Sequence, residues 1–243
     1  LGPGIKQAGI SLPPVCLDTG GFLLYFLLGM STPQTVLVTG AAGFIAGHFI
    51  RKFRQRFPEI SMVGLDDFSN SEPSSVNTAI TFYRGSINDA KLLEEIFLRH
   101  KPEYIFHFAA SCYVPYSIAH PVESSEVNIE GTVRLLKQAS DCGARRLVFS
   151  SSGAVYGTAQ EFPTKEEAPP QFYSPYALQK YTGELFCRLF SHLSGLDTVS
   201  LRYFNIYGPG QYAYSPYSTV IASWLEALYF PMTKSAVLYG DGE

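Results

Sequence analysis

The chain has 243 residues, 46% of them hydrophobic, and a formal net charge of -3. That is enough apolar side chain for one large core or two small ones. The slightly acidic balance, with no basic run, argues against nucleic acid as the main partner. Residues 1–29 are rich in Gly and Pro and then give the apolar run FLLYFLL between Gly21 and Gly29. That run is far too short to span a bilayer, so no membrane partner is expected. Its only basic flank is Lys6, and no small-residue cleavage site follows, which argues against a signal peptide. Met30 opens MSTPQ directly before the first strand. The native start is therefore expected at Met30, with 1–29 a non-native or disordered leader.

Thr35–Thr39 (TVLVT) is a short β-branched run and reads as a buried strand. A helix follows from Gly43, with Ile45, Phe49, Phe53 and Phe57 at i+4 spacing, and Pro58 stops it. Residues 60–65 form the second strand. Residues 66–79, rich in Asp, Ser, Asn and Pro, form a loop. Strands are predicted at 80–84, 104–108, 147–150 and 198–202, and helices at 89–100, 123–141 and 176–193. Trp224, Leu225, Leu228 and Phe230 give a last helix its apolar face. Tyr212, Tyr214 and Tyr217 with Pro216 suggest an aromatic loop near a substrate, or plain packing. Strand and helix alternate, which predicts an α/β fold with a doubly wound parallel sheet, because parallel neighbours need crossover helices. Such sheets bind ligands at the carboxyl ends of their strands. Gly40, Asp66, Ala109, Ser150 to Ser152 and Asn205 all fall at those ends.

Gly40 and Gly43 let the backbone turn tightly and approach a pyrophosphate, while the next helix offers free N–H groups. Ala46 stands where a third glycine is usual. Asp66, at the end of the second strand, suits a ribose diol and repels a 2′-phosphate, so NAD is favoured over NADP. Ser174 reads as an N-cap and Pro175 as the first helical residue, which puts Tyr176 and Lys180 on one helical face. Tyrosine is a poor base, with a pKa of about 10. A nearby ammonium and a cationic nicotinamide ring are expected to lower it. Tyr176 then takes a proton from a substrate hydroxyl as hydride leaves the same carbon, and Ser152 hydrogen-bonds the same oxygen. A Tyr-x-x-x-Lys alone means little; its helical start, the serine run upstream and the glycine turn give it weight. The cysteines Cys16, Cys112, Cys142 and Cys187 and the five histidines show no metal-ligand spacing. No metal is expected, and a reducing, cytoplasmic setting is.

TGAAGFIAGH, GLDDFS, FHFAAS, VFSSSGAVYG, SPYALQKYTGE and RYFNIYGPGQ, in that order, resemble the successive motifs of the extended short-chain dehydrogenase/reductase family. Nucleotide-sugar epimerases of the UDP-glucose 4-epimerase type are the nearest likeness, from about residue 35 to the chain end. The resemblance implies a Rossmann-type NAD-binding domain over 30–205 and the beginning of a substrate-binding part over 206–243. It implies Ser152, Tyr176 and Lys180 as the catalytic group. Gly40, Gly43, Phe44, Ile45, Asp66, Ser86, Ile87, Phe108, Ala109, Ala110, Asn128, Ser150, Tyr176, Lys180 and Tyr203 would line the NAD site. Asn205, with Ser152 and Tyr176, would contact a nucleotide-sugar substrate, UDP-linked by the same resemblance. A homodimer is implied through helices near 120–141 and 175–194. The reaction implied is oxidation of the sugar 4-hydroxyl to a 4-keto sugar and its re-reduction on the opposite face.

Related dehydratases and decarboxylases carry an acid after the serine or threonine run, because loss of the 6-hydroxyl needs acid–base help. Gly153 and Ala154 stand there, which leaves epimerisation ahead. Ser86 replaces an Asp that contacts adenine in the family, so adenine recognition is expected to weaken. The chain ends at YGDGE, where the family runs on, and a fragment of a longer reading frame is expected. The alternatives are another nucleotide-sugar enzyme of the family (a dehydratase, decarboxylase or reductase), or a truncated NAD-binding protein without turnover.

Overall fold

The computed structural model describes residues 34–158, 161–211 and 220–229. The leader 1–29, Met30, Cys16, the aromatic loop of Tyr212, Tyr214 and Tyr217, Phe230 and the YGDGE end lie outside the described residues. Among the described residues no helix is long and apolar enough to cross a membrane.

The strands are β1 (Thr35–Thr39), β2 (Ser61–Asp66), β3 (Thr81–Arg84), β4 (Tyr104–His107), β5 (Arg146–Ser152) and β6 (Asp197–Tyr203). They form one sheet in the order β3-β2-β1-β4-β5-β6, every pair parallel. The order reverses between β1 and β4, which opens a crevice at their carboxyl ends. β1 and β2 are buried nearly throughout, as the apolar stretches within TVLVT and SMVGLD require. The fold is the doubly wound Rossmann-type sheet expected from the alternation of elements.

Helices α1 (Phe44–Arg56), α2 (Ala90–His100), α3 (Val114–Ala119), α4 (Pro121–Ser125), α5 (Thr132–Asp141) and α6 (Pro175–Ser194) lie over the two faces, and α7 (Val220–Tyr229) follows β6 with Leu225, Leu228 and Tyr229 exposed. On one face Leu93, Ile96 and Phe97 of α2, Leu135 and Leu136 of α5 and Cys187 of α6 pack with Leu37, Leu65, Ile105, Leu147 and Phe149 of the sheet. On the other, Phe49 and Phe53 of α1 meet Phe106, at ring-centroid distances of 4.3 and 6.3 Å. The buried stripe of α1 is Ala46, Ile50 and Phe53. Ile45, Phe49 and Phe57 are only half-buried, so the core face is turned from the predicted i+4 row. Side chains cap two of these helices, at Ser174 as the sequence predicts and at Asp89, predicted instead as the first helical residue. Asp89 accepts from Lys91 N and Leu92 N to open α2, and Ser174 accepts from Ala177 N to open α6 with Pro175 behind it.

The run predicted as one helix over 123–141 is helical throughout, with a π turn at Glu126–Gly131 set between α4 and α5. Helix α3 precedes it in a stretch without a predicted element. The π turn widens the backbone at Asn128, which is 2% exposed and bonded away from its own helix.

Candidate active site

Gly40 follows β1 with φ of +67°, and a Cβ there would lie 2.7 Å from Ala109 N and 2.9 Å from Ala109 Cα. Only glycine allows β1 and the segment after β4 to pass so closely at the switch point. Gly40 N and Ala41 N both donate to Leu65 O, and Gly43 N closes a turn onto Gly40 O at 3.0 Å. Gly43 then caps α1 with no side-chain bond and no acid in the first turn. The N–H groups of Phe44, Ile45 and Ala46 are thereby left without intrahelical partners, a cradle for an anion. Asp66, 8% exposed, accepts at Oδ2 from Ala42 N at 3.0 Å and at Oδ1 from Phe68 N and Ser71 Oγ, each at 2.8 Å. Three donors hold the carboxylate still, and an ionised carboxylate has roughly four acceptor positions, so one remains for a diol. Phe44 lies edge-on to His48 with centroids 5.0 Å apart, and Ile45 is half-buried beside it. Phe108, Ala109 and Ala110 line the segment after β4, all half-buried. At the end of β3, Ser86 Oγ accepts from Asn88 N at 3.2 Å. Ile87 is 4% exposed and turns its side chain into the core.

The groups expected to react, Ser152, Tyr176 and Lys180, gather at the end of β5. Lys180, 3% exposed, donates to Ser150 O at 2.8 Å and stands 5.1 Å from the Phe149 ring centroid and 5.8 Å from that of Tyr176. Ser152 Oγ accepts from Ala154 N at 3.1 Å, so its own proton is free for the Tyr176 phenol that it meets. Ser150 likewise meets the phenol of Tyr203. Asn205 is exposed in the segment after β6.

In the protein alone burial governs the Tyr176 phenol, and the nicotinamide ring of the expectation is a separate contribution. Burial pushes the Tyr176 pKa up to about 12, the charge of Cys112 acts in the same direction, and only the Ser152 bond opposes them. Burial also lowers Lys180 to about 8. The ammonium spends a donor on Ser150 O and stands 5.8 Å from the Tyr176 ring centroid, and burial is the larger influence on the phenol.

Residues 36–243 match the description "NAD dependent epimerase/dehydratase family". The chain belongs to that family. A UDP-glucose 4-epimerase from Mycolicibacterium smegmatis is 37% identical over 212 residues, which is 85% of this chain and 66% of that protein. The dTDP-D-glucose 4,6-dehydratase of Mus musculus is 33% identical, over 75% of this chain and 53% of that protein. The crystal structure of Thermotoga maritima UDP-glucose 4-epimerase with UDP-glucose superposes with a TM-score of 0.81 at 35% identity, covering 86% of this chain and 67% of that one. The chain thus spans between about half and two thirds of the length of these relatives.

NAD is the cofactor of this epimerase/dehydratase family, and the cradle fits it. Gly40 leaves room that a Cβ would fill, α1 presents bare N–H groups, and Asp66 is aimed by three donors. Behind the cradle lies a directional chain that the sequence did not signal. Ala109 N donates to Thr39 Oγ1 at 3.3 Å, and Thr39 Oγ1 meets His107 Nδ1 at 2.7 Å. His107 Nε2 meets Thr132 Oγ1 at 3.0 Å, and that hydroxyl donates to Asn128 O at 2.8 Å. Thr132 has one proton, already given, so His107 donates from Nε2 and accepts at Nδ1.

Asn128, expected at the cofactor, is placed as a brace. It accepts from Ser111 N at 2.8 Å and donates to Ser111 O at 2.8 Å and to Gln179 Oε1 at 2.7 Å. Gln179 in turn donates to Ser124 Oγ at 2.8 Å and Ser125 Oγ at 3.0 Å. These bonds tie the segment after β4 to the helix that carries Tyr176 and Lys180.

Proposed function

We propose that this chain carries the cofactor site and reacting groups of an NAD-dependent nucleotide-sugar 4-epimerase, acting on a UDP-linked hexose. The observation that carries the reading is the meeting of Ser152, Tyr176 and Lys180 at the end of β5, beside a phosphate cradle at the switch point. NAD, when bound in that cradle, supplies the acceptor and later the donor of hydride at the sugar carbon, and a positive ring that favours phenolate at Tyr176. Tyr176 accepts the proton of the 4-hydroxyl and returns it after the 4-keto sugar has turned over in the site. Ser152 donates to the oxygen that changes charge. Lys180 fixes the Ser150 carbonyl and adds positive charge beside the phenol. Asn205 contacts the nucleotide-sugar phosphates.

Gly153 and Ala154 support epimerisation over dehydration. The Phe204 ring lies 3.0–3.1 Å from where a Cβ at position 153 would stand, so the space for an acid is already filled. A homodimer is part of the reading. Leu178, Leu185 and Leu189 form one stripe on α6, each 46–48% exposed, with Ile118 and Val122 of α3 and α4 also exposed.

The test is interconversion of UDP-glucose and UDP-galactose by this chain with NAD, against Tyr176→Phe. The variant is expected to lose at least about 100-fold in turnover, the usual scale for a positioned acid–base group, and to keep NAD binding. Equal turnover by the variant refutes the assignment, and NAD binding without turnover by the parent favours a binding protein.

A further inference from the structure

Helix α6 grips the end of β5 at three successive residues. Lys180 takes the Ser150 carbonyl at 2.8 Å, Glu184 takes the Ser151 hydroxyl at 2.5 Å, and Tyr176 meets the Ser152 hydroxyl. The outer two contacts hold the reacting groups. The middle one holds a carboxylate that takes no part in the proton transfer. Glu184 lies one helical turn beyond Lys180 and two beyond Tyr176, so all three project from one face. It is 5% exposed.

Arg202 of β6 closes it with a two-pronged fork, Nε to Oε1 at 2.9 Å and Nη2 to Oε2 at 2.8 Å. The remaining nitrogen, Nη1, donates to Glu166 O at 3.1 Å, and the guanidinium lies 4.7 Å from the Tyr156 ring centroid. One ion pair thus joins α6, two strands and the segment that leads into the helix. A buried ion pair is weak evidence for stability, since an apolar pair of the same volume often does as well. What the fork supplies is a fixed angle and reach.

We propose that Glu184 and Arg202 are positioning residues, which set where α6 rests on β5 and so hold Lys180 against Ser150 and Tyr176 against Ser152. The idea rests on the assignment of Tyr176 and Lys180 as the reacting groups. A helix that slides by one residue moves about 1.5 Å. That is enough to break all three contacts together.

The test is an NMR titration of the lysine side chains of the 243-residue chain. A Lys180→Met spectrum identifies the Lys180 signal, and NAD binding, melting temperature and UDP-sugar turnover are measured alongside. In the parent, burial holds the Lys180 midpoint at about 8. Glu184→Ala frees α6 and lets water reach the ammonium, so the midpoint rises by about one pH unit or more. Turnover falls by about thirtyfold, as small misplacements of reacting groups do, while NAD affinity falls far less, because the cradle at Gly40 and Asp66 lies on other elements. Glu184→Gln keeps the reach and the acceptor for Ser151 and recovers part of both.

The sign decides between the explanations, because loss of a nearby anion alone would lower the Lys180 midpoint. A fall, or an unmoved midpoint with only a lower melting temperature, overturns the proposal. If the parent shows no turnover, the proposed function fails, and the Lys180 midpoint still judges the positioning. Should Glu184→Ala not fold, Arg202→Lys, which keeps the charge and loses the fork, carries the same expectation.

Discussion

Acid is expected to weaken this fold through His107. Its ring is 1% exposed between the hydroxyls of Thr39 and Thr132. Burial, helped by the charge of Lys180, holds its pKa down to about 3. The same side chain in an unfolded chain titrates near 6.5. Between the two values the unfolded chain binds more protons, so this contribution is complete above about pH 6.5 and is lost as pH falls toward the folded value. At about pH 4.5 the unfolded state gains a factor of about 100, or roughly 2.7 kcal/mol. That is a large share of the 5–15 kcal/mol on the order of which domains are stable.

His107→Gln removes the titration and leaves one threonine hydroxyl short of a partner, at a cost of about 1–3 kcal/mol near neutral pH. Urea unfolding of parent and variant from about pH 7.5 to about pH 4.5 measures both effects. Carboxylates titrate in both proteins and cancel. The parent should therefore lose its lead over the variant as pH falls. Parallel curves across that range would refute the neutral, bonded histidine.

Gly40→Ala is expected to lose NAD binding and roughly 2 kcal/mol or more of stability, from a left-handed backbone and a backbone clash combined; calorimetry reads both, and an unaltered NAD affinity refutes the cradle. Gly153→Asp should not create a dehydratase, because the new side chain must first displace Phe204; a 4-keto-6-deoxy product, seen by its absorbance in base, would show that the ring gives way easily. Leu185→Glu with Leu189→Glu should convert a dimer to a monomer in sedimentation, and an unchanged mass would place any interface elsewhere.

The strands and the two ends of the site were legible because their signals are local. TVLVT needs no partner to read as a buried strand, and Ser174-Pro175 announces the start of α6 within two residues. The π turn was not legible, since its cause lies far away in sequence: Asn128 is drawn to Ser111 and Gln179, and Thr132 to His107. Glu184 and Arg202 were missed for the same reason, as each is an ordinary charge until β6 lies next to β5. The upward push of burial on Tyr176 was not legible, because residue spacing reports that a lysine is near and says nothing of how much water has left.

The inward face of α6 carries Gln179, Lys180 and Glu184 beside small residues such as Ala177 and Gly183. Such a face gains little from generic collapse, because a polar group buried without its partner costs free energy. In the docked helix Ser150 and Ser151, Asn128 and Arg202 supply those partners. The bonds that satisfy this face are the same ones that place Tyr176 and Lys180 at the end of β5. A shifted α6 would leave Lys180 and Glu184 buried without partners, so the arrangements in which Tyr176 is out of place are the costly ones.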